Sequence, residues 1–203
     1  MRRFTATFLL VACTKAAAPP DAGPPVKDAA QELSCIAASL GGYQPAPWVA
    51  PRPARKACTA DQIDQFWNLC VQFSALPIQC EQFIANNADC AACLSTDTPD
   101  AGPGPLLAHA GSVDVNVGGC IAVVLSDPSV TGCGAREQAA RDCAAFACAG
   151  CDGGTCATAA RQGVCADYQM HTCGELGGAA PCALDDGPLQ SYRRIAAVFC
   201  SNG

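Results

Sequence analysis

The sequence predicts a mainly α-helical, disulfide-rich fold: small helical domains stapled by cystine bridges, with one β-hairpin near 112–125. Three observations lead there. Apolar residues recur at helical spacing in several segments. Seventeen cysteines occur in 203 residues. Aromatic residues make up only 6% of the chain, and many of the remaining apolar side chains are alanine or cysteine. At about 25 cal/mol per Å² of buried apolar surface, such small side chains stabilise a core weakly, so covalent cross-links are expected to supply the difference.

The chain begins with Met1-Arg2-Arg3 and an apolar run from Phe4 to Ala12. A positive end, a short apolar segment and small residues before a cut site make a secretory leader. The residues around the cut site, Leu10-Val11-Ala12-Cys13, resemble the lipobox of bacterial lipoproteins. That resemblance implies cleavage between Ala12 and Cys13, acyl chains on the Cys13 thiol, and a membrane as partner. One acyl chain holds a protein only marginally, so stable anchoring needs the two or three chains that such a residue carries. The run is far below the roughly 20 residues that cross a bilayer. Thr14, rather than Asp, follows the cysteine, and by resemblance to the sorting rule of enteric bacteria this implies the outer membrane. The cysteine-rich layout as a whole is similar to that of myxobacterial lipoproteins of unknown function, a likeness that brings no activity with it.

Five segments follow from this reading: a signal peptide at 1–12, a lipidated cysteine with an Ala/Pro-rich tether at 13–30, a helical half at 31–96, a linker at 97–105, and a second helical half at 106–203. The tether contains Pro19-Pro20 and Gly23-Pro24-Pro25 and reads as extended chain. Gln31 to Leu40 is expected to form a short helix carrying Cys35. A proline-rich loop then runs to Cys58, with Trp48 read as covering the thin core and Arg52, Arg55 and Lys56 close behind.

Thr59 is a good N-cap, with Asp61 in the first turn. Ile63, Phe66, Trp67, Cys70 and Phe73 recur at helical spacing, which predicts the main core helix. Leu76-Pro77 ends it. One or two further helices are expected over Ile78–Leu94, with Phe83 and Ile84 inward and a break at Asn86-Asn87. The stretch from Asp97 to Gly104 combines acids, prolines and glycines, and marks the internal boundary. Val113, Val115 and Val117 alternate with polar residues at strand period. Gly118-Gly119 would turn the chain, and Cys120–Leu125 would return as a second strand or form a buried helix. Ala135–Ala147, Thr155–Gly163 and Val164–Leu176 read as helices. Asp186-Gly187-Pro188 opens a last one, with Leu189, Tyr192, Ile195, Ala196 and Phe199 inward and Cys200 pinning it.

Removing Arg2 and Arg3 with the leader leaves ten basic residues against eighteen acidic ones, a net charge near −8. An acidic chain with no basic cluster excludes nucleic acid as a partner class. Lipidation of Cys13 leaves an even set of sixteen cysteines: Cys35, Cys58, Cys70, Cys80, Cys90, Cys93, Cys120, Cys133, Cys143, Cys148, Cys151, Cys156, Cys165, Cys173, Cys182 and Cys200. In an exported chain these are expected to form disulfides. The spacing does not give their connectivity. Two Cys-x2-Cys pairs, Cys90/Cys93 and Cys148/Cys151, have zinc-ligand spacing, but the stretch between them is too long for a zinc ribbon. On a helix, side chains three apart diverge too far for easy bonding, so Cys90 and Cys93 are each expected to reach another helix.

Asp114-x-Asn116-x-Gly118 begins like a calcium loop, but Leu125 stands where the closing Glu is required. No metal and no cofactor are expected. His109 and His171 are the only histidines, and no Gly-x-Ser-x-Gly elbow is present. Glu175 with Asp185-Asp186 serves a cap and a turn more simply than a carboxylate pair. The reading is therefore a lipid-anchored, non-catalytic binding or structural module of the cell envelope, with a protein or glycan as ligand. The competing reading is an envelope hydrolase or thiol-redox protein that uses His109 or His171.

Overall fold

Tyr192, Ile195, Ala196, Phe199 and Cys200 recur every three or four residues, and the helix they define, α7 (Pro188–Cys200), is the centre of the structure. The computed structural model describes residues 35–95, 102–109, 112–151, 154–168, 173, 177–184 and 187–201. Gly187 has a φ of 87°, which a side chain would strain, and Pro188 starts the first turn of α7 with a preset φ. At its other end, the amide N–H groups of Arg55, Ala57 and Cys58 donate to the carbonyls of Phe199 and Cys200. The end of the proline-rich loop thus satisfies the acceptors that a helix terminus leaves open.

Around α7 lie α1 (Ala60–Phe66), continued by a π-helical turn at Trp67–Val71, then α2 (Pro77–Asn86), α3 (Ala88–Leu94) and α4 (Val117–Val124). Thr59 caps α1 as expected, in a capping box with Gln62: the Gln62 amide donates to Thr59 Oγ1 at 3.2 Å, and the Thr59 amide to Gln62 Oε1 at 2.8 Å. Gln62 Nε2 also donates to Asn87 Oδ1 at 2.7 Å, tying this cap to the α2–α3 break. Ile63, Phe66, Phe83, Leu94, Leu106, Val117 and Ile121 close the core around α7. Phe66 meets Phe83 edge-on, with ring centroids 5.7 Å apart.

A second, smaller cluster joins α5 (Cys133–Ala147) and α6 (Gly154–Gln162). It consists of Cys143, Ala144, Ala147, Ala160 and Cys165, with Leu40, Tyr43 and Tyr168 at its edge. Helices α4 and α5 approach closely because Gly118 and Gly134 face each other; a Cβ on Gly118 would lie 2.7 Å from the Gly134 carbonyl. Short 3₁₀ turns at Ala166–Tyr168 and Gly177–Cys182 complete the described elements.

All sixteen cysteines from Cys35 onward are paired: 35–151, 58–90, 70–80, 93–200, 120–182, 133–173, 143–165 and 148–156. The fold is mainly α and disulfide-rich. Residues 35–203 form one compact unit. Two bridges, Cys35–Cys151 and Cys93–Cys200, join chain before the expected linker to chain after it.

Several local expectations are corrected. The hairpin is not at 112–125: β1 (Leu106–His109) pairs antiparallel with β2 (Ser112–Val115), Leu106 opposite Val115. The expected return strand at Cys120–Leu125 is helix α4, because Asn116 ends the strand and caps the helix, its Oδ1 accepting from the Gly119 amide at 2.7 Å. Gly118-Gly119 lies inside that helix rather than in a turn. Residues 35–40 are not helical. They lie along the end of α5, where the Ala38 amide donates to the Ala147 carbonyl at 2.8 Å. Phe73 and Ile84 point outward, not inward. Within Val164–Leu176 the described helical structure is the 3₁₀ turn alone.

Candidate functional site

Of the residues singled out in the sequence, Ala12, Cys13, His171, Glu175, Asp185 and Asp186 lie outside the described residues. His109 belongs to β1. The Cys-x2-Cys pairs are divided among separate bridges: Cys90 bonds Cys58, just ahead of α1, and Cys93 bonds Cys200 at the end of α7. Cys148 bonds Cys156 and Cys151 bonds Cys35. Among the described residues no group of three His, Cys, Asp or Glu side chains could hold a metal ion.

Several of the described charged groups form ion pairs within the scaffold. Arg193 on α7 makes a two-pronged contact with Asp64 on α1, at 2.6 and 2.9 Å. Glu137 on α5 joins Arg141 at 3.0 Å and Arg161 of α6 at 2.7 Å. The buried Tyr192 hydroxyl donates to the Ile63 carbonyl at 3.1 Å, and burial followed by the nearby Asp64 charge raises its pKa strongly. Burial, then Asp142 and Tyr168, likewise raises Tyr43, whose ring lies 5.0 Å from Phe146 and 5.8 Å from Tyr168. These contacts hold helix to helix. Two depressions flank α7: one of about 360 Å³ lined by Ala60, Ile63, Asp64, Arg193, Ala197 and Ser201, the other of about 690 Å³ lined by Ala180, Pro181, Arg194, Ala197, Val198 and Ser201. The charged groups on their walls already have partners: Arg193 pairs with Asp64, and Arg194 donates to the Ala183 carbonyl.

A different kind of surface stands at the end of α1. The π-helical turn at Trp67–Val71 carries Cys70, whose bridge to Cys80 on α2 brings the two Cα atoms to 4.8 Å. The loop between them turns three large apolar side chains to solvent: Phe73 is fully exposed, Leu76 is 55% exposed and Ile78 is 58% exposed. Its backbone is fixed by hydrogen bonds from the Gln72 amide to Trp67, the Ala75 amide to Gln72 and the Gln79 amide to Leu76. Gln72 Nε2 adds a bond to Asn68 Oδ1 at 3.0 Å. A π-turn inside a helix is a frequent mark of functional sites, and a clamped apolar loop loses little conformational freedom on contact. Helical periodicity predicts Phe73 in the core, but the helical stretch ends at Val71 and the extended Gln72 turns the chain outward before Phe73 is reached.

No protein-family model, curated protein or solved structure matches the chain.

Proposed function

We propose that this protein is a lipid-anchored, non-catalytic module of the cell envelope, held at the outer membrane through Cys13 and presenting a rigid body to a protein or glycan ligand. The observation that carries the reading is that every cysteine from Cys35 to Cys200 is in a disulfide. Eight such bonds are maintained in oxidising compartments, outside the cytosol. They leave those sixteen cysteines without a thiolate for nucleophilic chemistry. Among the described residues, no helix is long and apolar enough to cross a membrane. The attachment proposed is through the lipobox-like Cys13.

Mass spectrometry of the protein recovered from its native membranes tests this. The expected amino terminus is an acylated Cys13, with Cys35–Cys200 fully oxidised. Recovery of the uncleaved chain as a soluble, reduced protein overturns the reading.

A further inference from the structure

We propose that the Cys70–Cys80 loop inserts Phe73, flanked by Leu76 and Ile78, into the interfacial region of an electrically neutral lipid bilayer. The inference rests on the envelope reading above for a bilayer within reach, but not on the acylation of Cys13.

Three observations select this occupant. First, charge: no charged residue lies between Asp64 and Glu81, and no lysine or arginine lies between Lys56 and Arg136. The loop therefore carries no charge with which to attract an anionic surface. Contact with an uncharged or zwitterionic surface needs none.

Second, area. An aromatic side chain buries about 150–250 Å², so Phe73 with two half-exposed aliphatic residues falls well short of the roughly 800 Å² per partner of a stable protein interface. A bilayer accepts a small apolar projection without needing a complementary surface.

Third, shape. The three side chains project from a loop whose ends are locked by the Cys70–Cys80 bond and whose turns are hydrogen-bonded internally. They are held out from the body, and contact with lipid removes Phe73 from water without unfolding anything.

The test is Phe73→Trp in the full chain, mixed with phosphatidylcholine vesicles carrying bromine on their acyl chains. Phe73 is fully exposed, so the substitution leaves far-UV circular dichroism unchanged. The expected result is a blue-shifted emission and at least twofold stronger quenching than the unsubstituted chain shows through Trp48 and Trp67. Phe73→Asp should lower vesicle partitioning of the Cys13→Ser chain at least tenfold. Vesicle-bound F73W protein with no added quenching overturns the proposal while leaving the acyl anchor standing. Quenching that persists in the Cys13→Ser chain supports the loop as a lipid contact independent of the acyl anchor. Binding only to vesicles containing anionic lipid, or a dimer in solution that Phe73→Asp dissolves, overturns the assignment of a neutral bilayer.

Discussion

The Tyr192 hydroxyl donates to the main-chain carbonyl of Ile63 at 3.1 Å, joining the middle of the central helix to the first turn of α1 across 129 residues of sequence. The ring is fully buried and lies 4.9 Å from Trp67, centroid to centroid. The contact closes the main core on one side of α7.

Tyr192→Phe keeps the ring and leaves the Ile63 carbonyl without this donor. The expected loss is about 1 kcal/mol at neutral pH, measured by urea unfolding. The pH dependence is sharper. Burial raises the folded-state pKa of Tyr192 above the ordinary tyrosine value of 10.0. Below that value both states are protonated, and the stabilisation is fully present. Above it the unfolded chain releases a proton that the folded chain retains, so stability falls as pH rises. The unsubstituted chain should lose stability progressively as pH rises above 10.0, and Tyr192→Phe should flatten that limb. An unchanged limb would mean that another group governs it.

The neighbouring ion pair should matter less than its short distances suggest. Asp64 and Arg193 meet at 2.6 Å, but their side chains remain 39% and 38% exposed. Water screens such a pair, and exposed pairs contribute about 0.2–1 kcal/mol. Phe199 is fully buried on the same helix, and truncating a core phenylalanine costs about 3–5 kcal/mol. Asp64→Asn should therefore lower the unfolding free energy by less than 1 kcal/mol, and Phe199→Ala by several times more. Equal effects would put the stability of this face in charge rather than in packing.

The central helix and α1 were legible because their signals are local: a capping box at Thr59–Gln62 and apolar residues at helical spacing from Leu189 to Phe199. The hairpin lies earlier than the sequence predicts because the alternation of Val113, Val115 and Val117 runs on past the strand end at Val115. Gly118-Gly119 reads as a turn in sequence, but its purpose is tertiary: Gly118 lets α4 lie against Gly134 of α5. Residues 35–40 contain helix formers, yet they serve as a strap for the end of α5. The exposed loop is hidden in the sequence because apolar spacing runs on to Phe73, whereas the helix ends at Val71 and Gln72 is extended. Pairing sixteen cysteines depends on contacts between distant elements, which spacing alone does not encode.

The bridges should differ in both accessibility and energetic weight. Cys93–Cys200 is buried and closes a sequence separation of 107, whereas Cys70–Cys80 is half-buried and closes only 10. Loop-closure entropy gives about 5 kcal/mol for the first and about 3 kcal/mol for the second. Graded reduction with alkylation should label Cys70 and Cys80 before Cys93 and Cys200. Replacing Cys93 and Cys200 together by alanine should cost more stability than replacing Cys70 and Cys80. Peptide mapping should recover Cys58–Cys90 and Cys93–Cys200 linkages; a Cys90–Cys93 peptide would contradict the fold.

Arg52 is only 3% exposed, an unusual position for a guanidinium. Its Nη1 donates to the Ala92 carbonyl in the last turn of α3, and its Nε donates to the Gly102 carbonyl at 3.2 Å. The Arg52 amide donates to the Pro103 carbonyl at 3.1 Å. One residue of the proline-rich loop thus ties a helix end to residues 102–103, and its positive charge sits where the helix dipole favours it. Lysine carries the same charge on a single nitrogen and lacks the rigid fork that holds Nε and Nη1 each on its own carbonyl. Arg52→Lys should therefore lower stability by about 1.5–3 kcal/mol, the range for hydrogen bonds to a charged group. Arg52→Ala should lower it by at least as much, since it also leaves the Ala92 and Gly102 carbonyls without these donors. Arg55→Ala, which removes an exposed side chain but keeps the amide bond to Phe199, is the control and should change little. Hydrogen exchange should show the α3 carboxyl end loosening in Arg52→Lys while α5 and α6, which pack in the second cluster, remain as protected as before.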